Sequence, residues 1–209
     1  MGYHMAGFEV VGADKEPQPN FPFEFYRHDI LEITDRQITN ISRNFDAIAG
    51  SPPCQRYSKS YTPNRHEHPD LVAPFREIVQ ATGLPYIIEN VPGAPLINPV
   101  QFCGSAFGIR VQRHRLFESN ISLGGISCNH QWQERHKPYW RIENGPDSGR
   151  WRGIIKVFGT GDGTHHNGMR MVDLNRVAMG IDWMNQSELS QAIPPVYTFY
   201  IGRQLMEQL

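Results

Sequence analysis

Cysteine is scarce in this sequence: Cys54, Cys103 and Cys128 are the only three, and no C-x-x-C pair occurs. Three thiols cannot build a disulfide framework, so a reducing, cytoplasmic setting is expected. Long apolar runs are missing too. Nothing approaches the ~20 residues of a membrane span, and Met1-Gly2-Tyr3-His4 carries no signal-peptide pattern, so no membrane partner is expected. Internal repeats and low-complexity tracts are absent. What is present reads as an ordinary globular chain: 209 residues, 39% hydrophobic and 20% charged, enough for one domain or one domain with an inserted lobe. The net charge of −1 hides an imbalance. Residues 108–170 hold 10 Lys and Arg against 5 Asp and Glu, a basic patch that points to a polyanionic partner or else to a solvated surface balanced elsewhere.

Three short apolar runs end in Gly, Pro or an acidic residue: Phe8 to Asp14, Phe45 to Gly50, and Tyr86 to Val91. Each has the pattern of a buried parallel strand. Between the second and third, Leu71, Val72, Phe75, Ile78 and Val79 fall at helical spacing, and Gly83 stops the helix. Strand, helix, strand in this rhythm predicts an α/β layer fold with a parallel sheet. Residues 120–168 are rich in Trp and Gly without a clear period and read as a separate irregular lobe. Helical patterning returns over 172–184, 186–192 and 196–206. The expected division is therefore 1–119, 120–168 and 169–209.

Chemistry gathers at the strand ends. Ser51-Pro52-Pro53-Cys54-Gln55 follows the second strand, where ligands bind in open α/β sheets. Two prolines fix the backbone before the thiol, and Arg56, Arg113 and Arg115 supply positive charge that a thiolate needs. A buried structural cysteine would read the same in isolation. Glu89-Asn90-Val91 closes the third strand with a carboxylate able to hold or pass a proton, or simply to cap the next turn. Arg113 and Arg115 alternate on an extended segment, which puts both guanidinium groups on one face, suited to phosphate or carboxylate.

Taken together and in this order, Pro52-Pro53-Cys54-Gln55, Glu89-Asn90-Val91 and Arg113-x-Arg115 resemble the cytosine-5 DNA methyltransferase family. Glu9 to Asp14, His28-Asp29-Ile30 and a closing helix after Gln191-Ala192-Ile193 support the resemblance. It implies a Rossmann-like fold that uses S-adenosylmethionine and acts on double-stranded DNA, as a monomer, in restriction–modification or phage protection. In that scheme Cys54 attacks a cytosine flipped from the duplex, Glu89 holds and protonates its ring nitrogen, and Arg113 and Arg115 orient the base and its flanking phosphate. Asp14, Asp29, Ile30 and Pro52 would bind the methyl donor, and Gln55 would meet DNA.

Residues 120–168 take the place of the family's target-recognition region. Arg135, Lys137, Arg141, Arg150, Arg152 and Lys156 are the phosphate-contact candidates there, with Asn129, Gln131 or Gln133 for base readout. Cys128, His130 and His136 do not have zinc-site spacing, so no metal is expected. Three departures stand out. The family's first strand and glycine-rich turn should precede Met1; their absence would leave the sheet without its central strand and the chain marginally stable. Val111 stands where the family has glutamine, and Ile193-Pro194-Pro195 replaces a Gly-Asn-Ser. The sequence therefore leaves three readings: an active DNA enzyme, an inert DNA-binding remnant, and an RNA cytosine methyltransferase.

Overall fold

A computed structural model describes residues 1–58, 67–135, 139–141, 150–152, 154–155, 157 and 170–209. The chain begins with α1 (Gly2–Ala6), then β1 (Val11–Asp14), β2 (Glu24–Arg27), α2 (Asp35–Asn44), β3 (Ile48–Gly50), α3 (Val72–Ala81) and β4 (Tyr86–Asn90). It continues through β5 (Val100–Phe102), β6 (Arg115–Ser119), α4 (His130–Arg135), β7 (Tyr139–Arg141) and β8 (Arg150–Arg152) to α5 (Met171–Met179), α6 (Gln186–Gln191) and α7 (Pro195–Met206).

The central sheet has the order β3-β4-β6-β5. β3 and β4 are parallel, joined through α3, with Gly50 opposite Ile88. Within this sheet the parallel arrangement read from the sequence holds only for β3 and β4: β6 runs antiparallel to both β4 and β5. The reason is the connection. Residues 103–114 between β5 and β6 hold one 3-10 turn, Gly104–Phe107, and no α-helix of the kind that usually carries a parallel crossover. β1 and β2 form a separate parallel pair. Among the described residues no strand pairs with the free edges of β1 or β3, and a cavity of about 630 Å³ lies between them.

β4 is buried at every position, so its alternation sorts side chains between two cores. Ile87 joins Phe102, Phe117, Tyr197 and Ile201 on one face. Tyr86 and Ile88 join Phe75 and Val79 of α3 on the other. Each large apolar side chain removed from water contributes about 1.5–3 kcal/mol, so β4 is the most firmly held strand in the sheet. α3 also reaches β3: a Cβ on Gly50 would stand 2.1 Å from the Phe75 ring, so only glycine lets that ring lie against the strand end. A third core gathers α5 and α6 around Val111, Ile155 and Val157. Ile155 and Val157, read from sequence as part of the lobe, thus pack with the C-terminal helices. No described helix is long and apolar enough to cross a membrane.

Candidate active site

The site grows from the register of β3 on β4. Because Gly50 lies opposite Ile88, the next residues, Ser51 and Pro52, arrive beside Glu89 and Asn90. Asn90 then fixes the loop: its side-chain amide donates to the Pro52 carbonyl at 2.8 Å, while its oxygen accepts from the Val91 amide at 2.8 Å. Both bonds are buried or half-buried, where a lost partner costs about 1–3 kcal/mol. Past the prolines, the Cys54 carbonyl accepts from the amides of Tyr57 and Ser58, both at 2.9 Å, so the chain turns at the cysteine. Cys54 is a free, half-buried thiol. Pro52 is buried and Gln55 exposed. Arg56 donates to the His68 carbonyl at 2.8 Å and so braces the same loop.

Glu89 is 7% exposed. Burial raises its carboxyl above the ordinary value of 4.5, and Arg115, a hydrogen bond with Ser51 and Arg113 oppose that rise without cancelling it. Arg115 makes the direct contact, Nε to carboxylate oxygen at 2.9 Å. Arg113 was expected to reach a DNA phosphate. The structure buries it, at 5% exposure, with its guanidinium donating to the Val157 carbonyl at 2.8 Å and to the Ser190 carbonyl. Its Nε has no hydrogen-bond partner among the described residues. Burial, then the neighbouring Arg115, lowers its pKa to about 9. The Tyr197 hydroxyl donates to the Arg113 carbonyl at 2.8 Å. The C-terminal helices therefore hold the Arg113–Arg115 segment against Glu89, an arrangement that alternation alone did not reveal.

The remaining expected residues divide. Asp14, at the end of β1, lines the cavity between β1 and β3; one of its oxygens accepts from the Glu16 amide at 2.8 Å. Ser51 and Glu89 line the same cavity, as do Phe21 and Trp183, whose buried indole N–H has no partner among the described residues. Asp29, Ile30 and Pro52 do not line it. Asp29 caps the 3-10 turn Ile30–Glu32 by accepting from the Leu31 amide at 3.0 Å, and Ile30 packs against the Phe75–Val79 core. In the lobe, Lys137 and Lys156 lie outside the described residues, as do the side chains of Arg135, Arg141, Arg150 and Arg152. Asn129 donates through its backbone to Ser105 at 3.0 Å, and buried Gln133 donates to the Ile109 carbonyl at 2.7 Å.

Residues 1–97, which carry the Cys54 loop and Glu89 on neighbouring strands, match the model of the C-5 cytosine-specific DNA methylase family. Among solved structures, a presumed DNA modification methyltransferase encoded within an E. coli prophage superposes with a TM-score of 0.65, at 16% identity, over 99% of this chain and 94% of its own. The two chains thus share a fold over nearly their whole lengths. A DNMT2 variant from Spodoptera frugiperda is more distant, with a TM-score of 0.40 and 20% identity over 56% of this chain and 46% of its own. No curated protein matches the chain.

Sequence reasoning also overlooked a cluster where the segment entering α4 meets the sheet. His136 lies outside the described residues; Cys128 and His130 meet Cys103 and His114, which flank strands of the sheet.

Proposed function

We propose that this chain transfers a methyl group from S-adenosylmethionine to carbon 5 of a cytosine flipped out of double-stranded DNA, with Cys54 as the nucleophile. The observation that carries the reading is the Asn90 bond to Pro52, which ties the turn bearing Cys54 to the strand end that presents buried Glu89. The chemistry follows from these two groups. The Cys54 thiolate adds to carbon 6 of cytosine, forming a sulfur–carbon bond, and the displaced electron pair moves toward ring nitrogen 3. Glu89, whose carboxyl binds its proton more tightly than an ordinary glutamate, supplies a proton there. Carbon 5 is then nucleophilic enough to accept a methyl group, and as that bond forms ring nitrogen 3 returns its proton to Glu89. Loss of the carbon-5 proton to a base expels the thiolate and restores the ring. Arg115 orients Glu89, and Arg113 positions the segment through its carbonyl bonds.

The cavity between β1 and β3 fits the donor in its chemistry. Asp14 offers a carboxylate for ribose hydroxyls, Phe21 and Trp183 offer ring faces, and the unpartnered Trp183 indole N–H offers a donor. S-adenosylmethionine bound there supplies the methyl group. Asp29, Ile30 and Pro52 keep the roles the resemblance gives them only if they close on the cavity from its rim. The phosphate contacts of Gln55, Arg135, Lys137, Arg141, Arg150, Arg152 and Lys156 belong to the same proposal.

A second reading has its own support. The cavity runs between two strand edges that have no strand partner among the described residues, which fits a chain that binds DNA without holding the donor. Transfer of a radiolabelled methyl group from S-adenosylmethionine to duplex DNA, beside calorimetry of donor binding, separates the two. Incorporation that is lost in Cys54→Ser supports the enzyme; DNA binding with neither donor binding nor incorporation supports the inert form. Preferential labelling of RNA would redirect the substrate.

A further inference from the structure

Cys103, His114, Cys128 and His130 place one sulfur or ring nitrogen each within 4.8 Å of all the others. The sulfur of Cys103 is 3.3 Å from Nε2 of His130, and the sulfur of Cys128 is 3.5 Å from Nε2 of His114. A tetrahedral zinc ion, with sulfur at ~2.3 Å and imidazole nitrogen at ~2.1 Å, sets its ligand atoms ~3.5 Å apart. From this geometry we infer that these four residues form a structural zinc site.

The scaffold supports the assignment. Cys103 directly follows β5 and His114 directly precedes β6. Phe102 pairs with Arg115, so the next residues outward on the two strands, Cys103 and His114, stand together at one end of the sheet. Cys128 and His130 come from the segment entering α4. That segment is aimed by the Asn129 amide, which donates at 3.0 Å to Ser105 in the turn after Cys103. Buried Gln133, on the next helical turn, anchors α4 to the Ile109 carbonyl. The two imidazole rings sit 5.0 Å apart at 75°, an edge arrangement that leaves their nitrogens converging instead of stacking. Gln101 faces the Cys128 sulfur at 3.9 Å, in the position of an outer-shell donor to a thiolate.

Two sulfurs and two imidazoles are a ligand set that selects zinc over hard cations. Four protein ligands leave no open position, so the site holds structure and does no chemistry. Its place gives it a function. Two ligands belong to the sheet that carries Glu89, and two to the root of the lobe. His114 also stands between Arg113 and Arg115. The ion would staple the lobe to the catalytic sheet and fix the arginine segment that faces Glu89.

The test uses the full chain purified without chelator. Elemental analysis should give one zinc per chain, and the metal should be retained on dialysis. Reconstitution of metal-free protein with Co²⁺ should give the visible absorption of a tetrahedral site together with a thiolate charge-transfer band. Cys128→Ser and His130→Asn should each lower the metal content severalfold. Chelation should reduce the Tm of the wild type while leaving that of a folded Cys128→Ser variant unchanged. Zinc content near background after expression in zinc-supplemented medium, or octahedral Co²⁺ spectra without a thiolate band, would overturn the inference. A Cys103–Cys128 disulfide in protein prepared under reductant would do the same. The cobalt measurement needs no variant, so misfolded substitutions leave the test intact.

Discussion

Two buried glutamates sit on neighbouring, paired strands and face opposite ways. Glu118 of β6 lies opposite Ile88, and Glu89 of β4 lies opposite Phe117, so the first points toward α3 and the second toward the Cys54 loop. Each has an arginine, yet their carboxyls shift in opposite directions. Burial pushes both up. At Glu118 the push is overcome: Arg76 binds both oxygens, at 2.6 and 2.8 Å, and the Ile97 amide donates at 2.7 Å, leaving the carboxyl below 4.5. At Glu89 one Nε contact from Arg115 and a bond with Ser51 are too few, and the carboxyl stays above 4.5. The lesson is that partner count weighed against burial separates a carboxylate that holds the fold from one that can keep a proton for chemistry.

Breaking this contrast should produce the largest effects. Glu118→Ala leaves Arg76 half-buried without its partner and should cost about 3–5 kcal/mol of stability, read by urea denaturation. Glu89→Gln should cause no loss of stability at neutral pH and should lower methyl transfer about 10²–10⁴-fold. Equal stability losses in the two variants would erase the distinction. The pH dependences should also oppose each other. A lowered carboxyl stabilises the fold above its ordinary value, so Glu118's contribution is full above 4.5 and drains away as pH falls through its folded value. A raised carboxyl stabilises the fold when protonated, so Glu89's contribution is full below 4.5 and is lost as pH rises through its folded value. Acid denaturation profiles should therefore flatten on the acid side in Glu118→Gln, whereas Glu89→Gln gains stability relative to wild type toward neutral pH.

Smaller effects sharpen the picture. Asn90→Ala removes the strut to Pro52; it should cost about 1–3 kcal/mol and reduce methyl transfer by up to about 10²-fold, because the thiol loses its aim. Transfer that survives this change at the wild-type rate would show that the loop is held by other means. The smallest effect belongs away from the site. Thr34 and Gln37 form a capping box at the start of α2, and Thr34→Ala should cost about 1 kcal/mol with methyl transfer unchanged.

How far the sequence could be read depended on whether a feature was local. Phe45 to Cys54 and Tyr86 to Asn90 each combine an apolar run with its own stop signal, so both strand ends and their polar residues were legible. So were α3, through its apolar stripe and Gly83, and α7. The β2 strand was not read, because its exposed residues give no buried run. Helix α2 went unread as well. Its apolar positions reduce to Ile38 and Ile41, and its clearest sign was the Thr34–Gln37 pair. The burial of Arg113 could not be read at all, since its partners Val157 and Ser190 are distant in sequence. The Cys103–His114–Cys128–His130 cluster was hidden for the same reason: strand pairing, not spacing, assembles it.

The central claim is best tested by trapping. The wild-type chain is incubated with S-adenosylmethionine and duplex DNA of mixed sequence in which cytosine is replaced throughout by 5-fluorocytosine, since fluorine at carbon 5 cannot leave as a proton does. The account predicts a denaturant-stable protein–DNA adduct, mapped by peptide mass spectrometry to Cys54 and missing in Cys54→Ser. An adduct on another residue, or one that persists in Cys54→Ser, would contradict it.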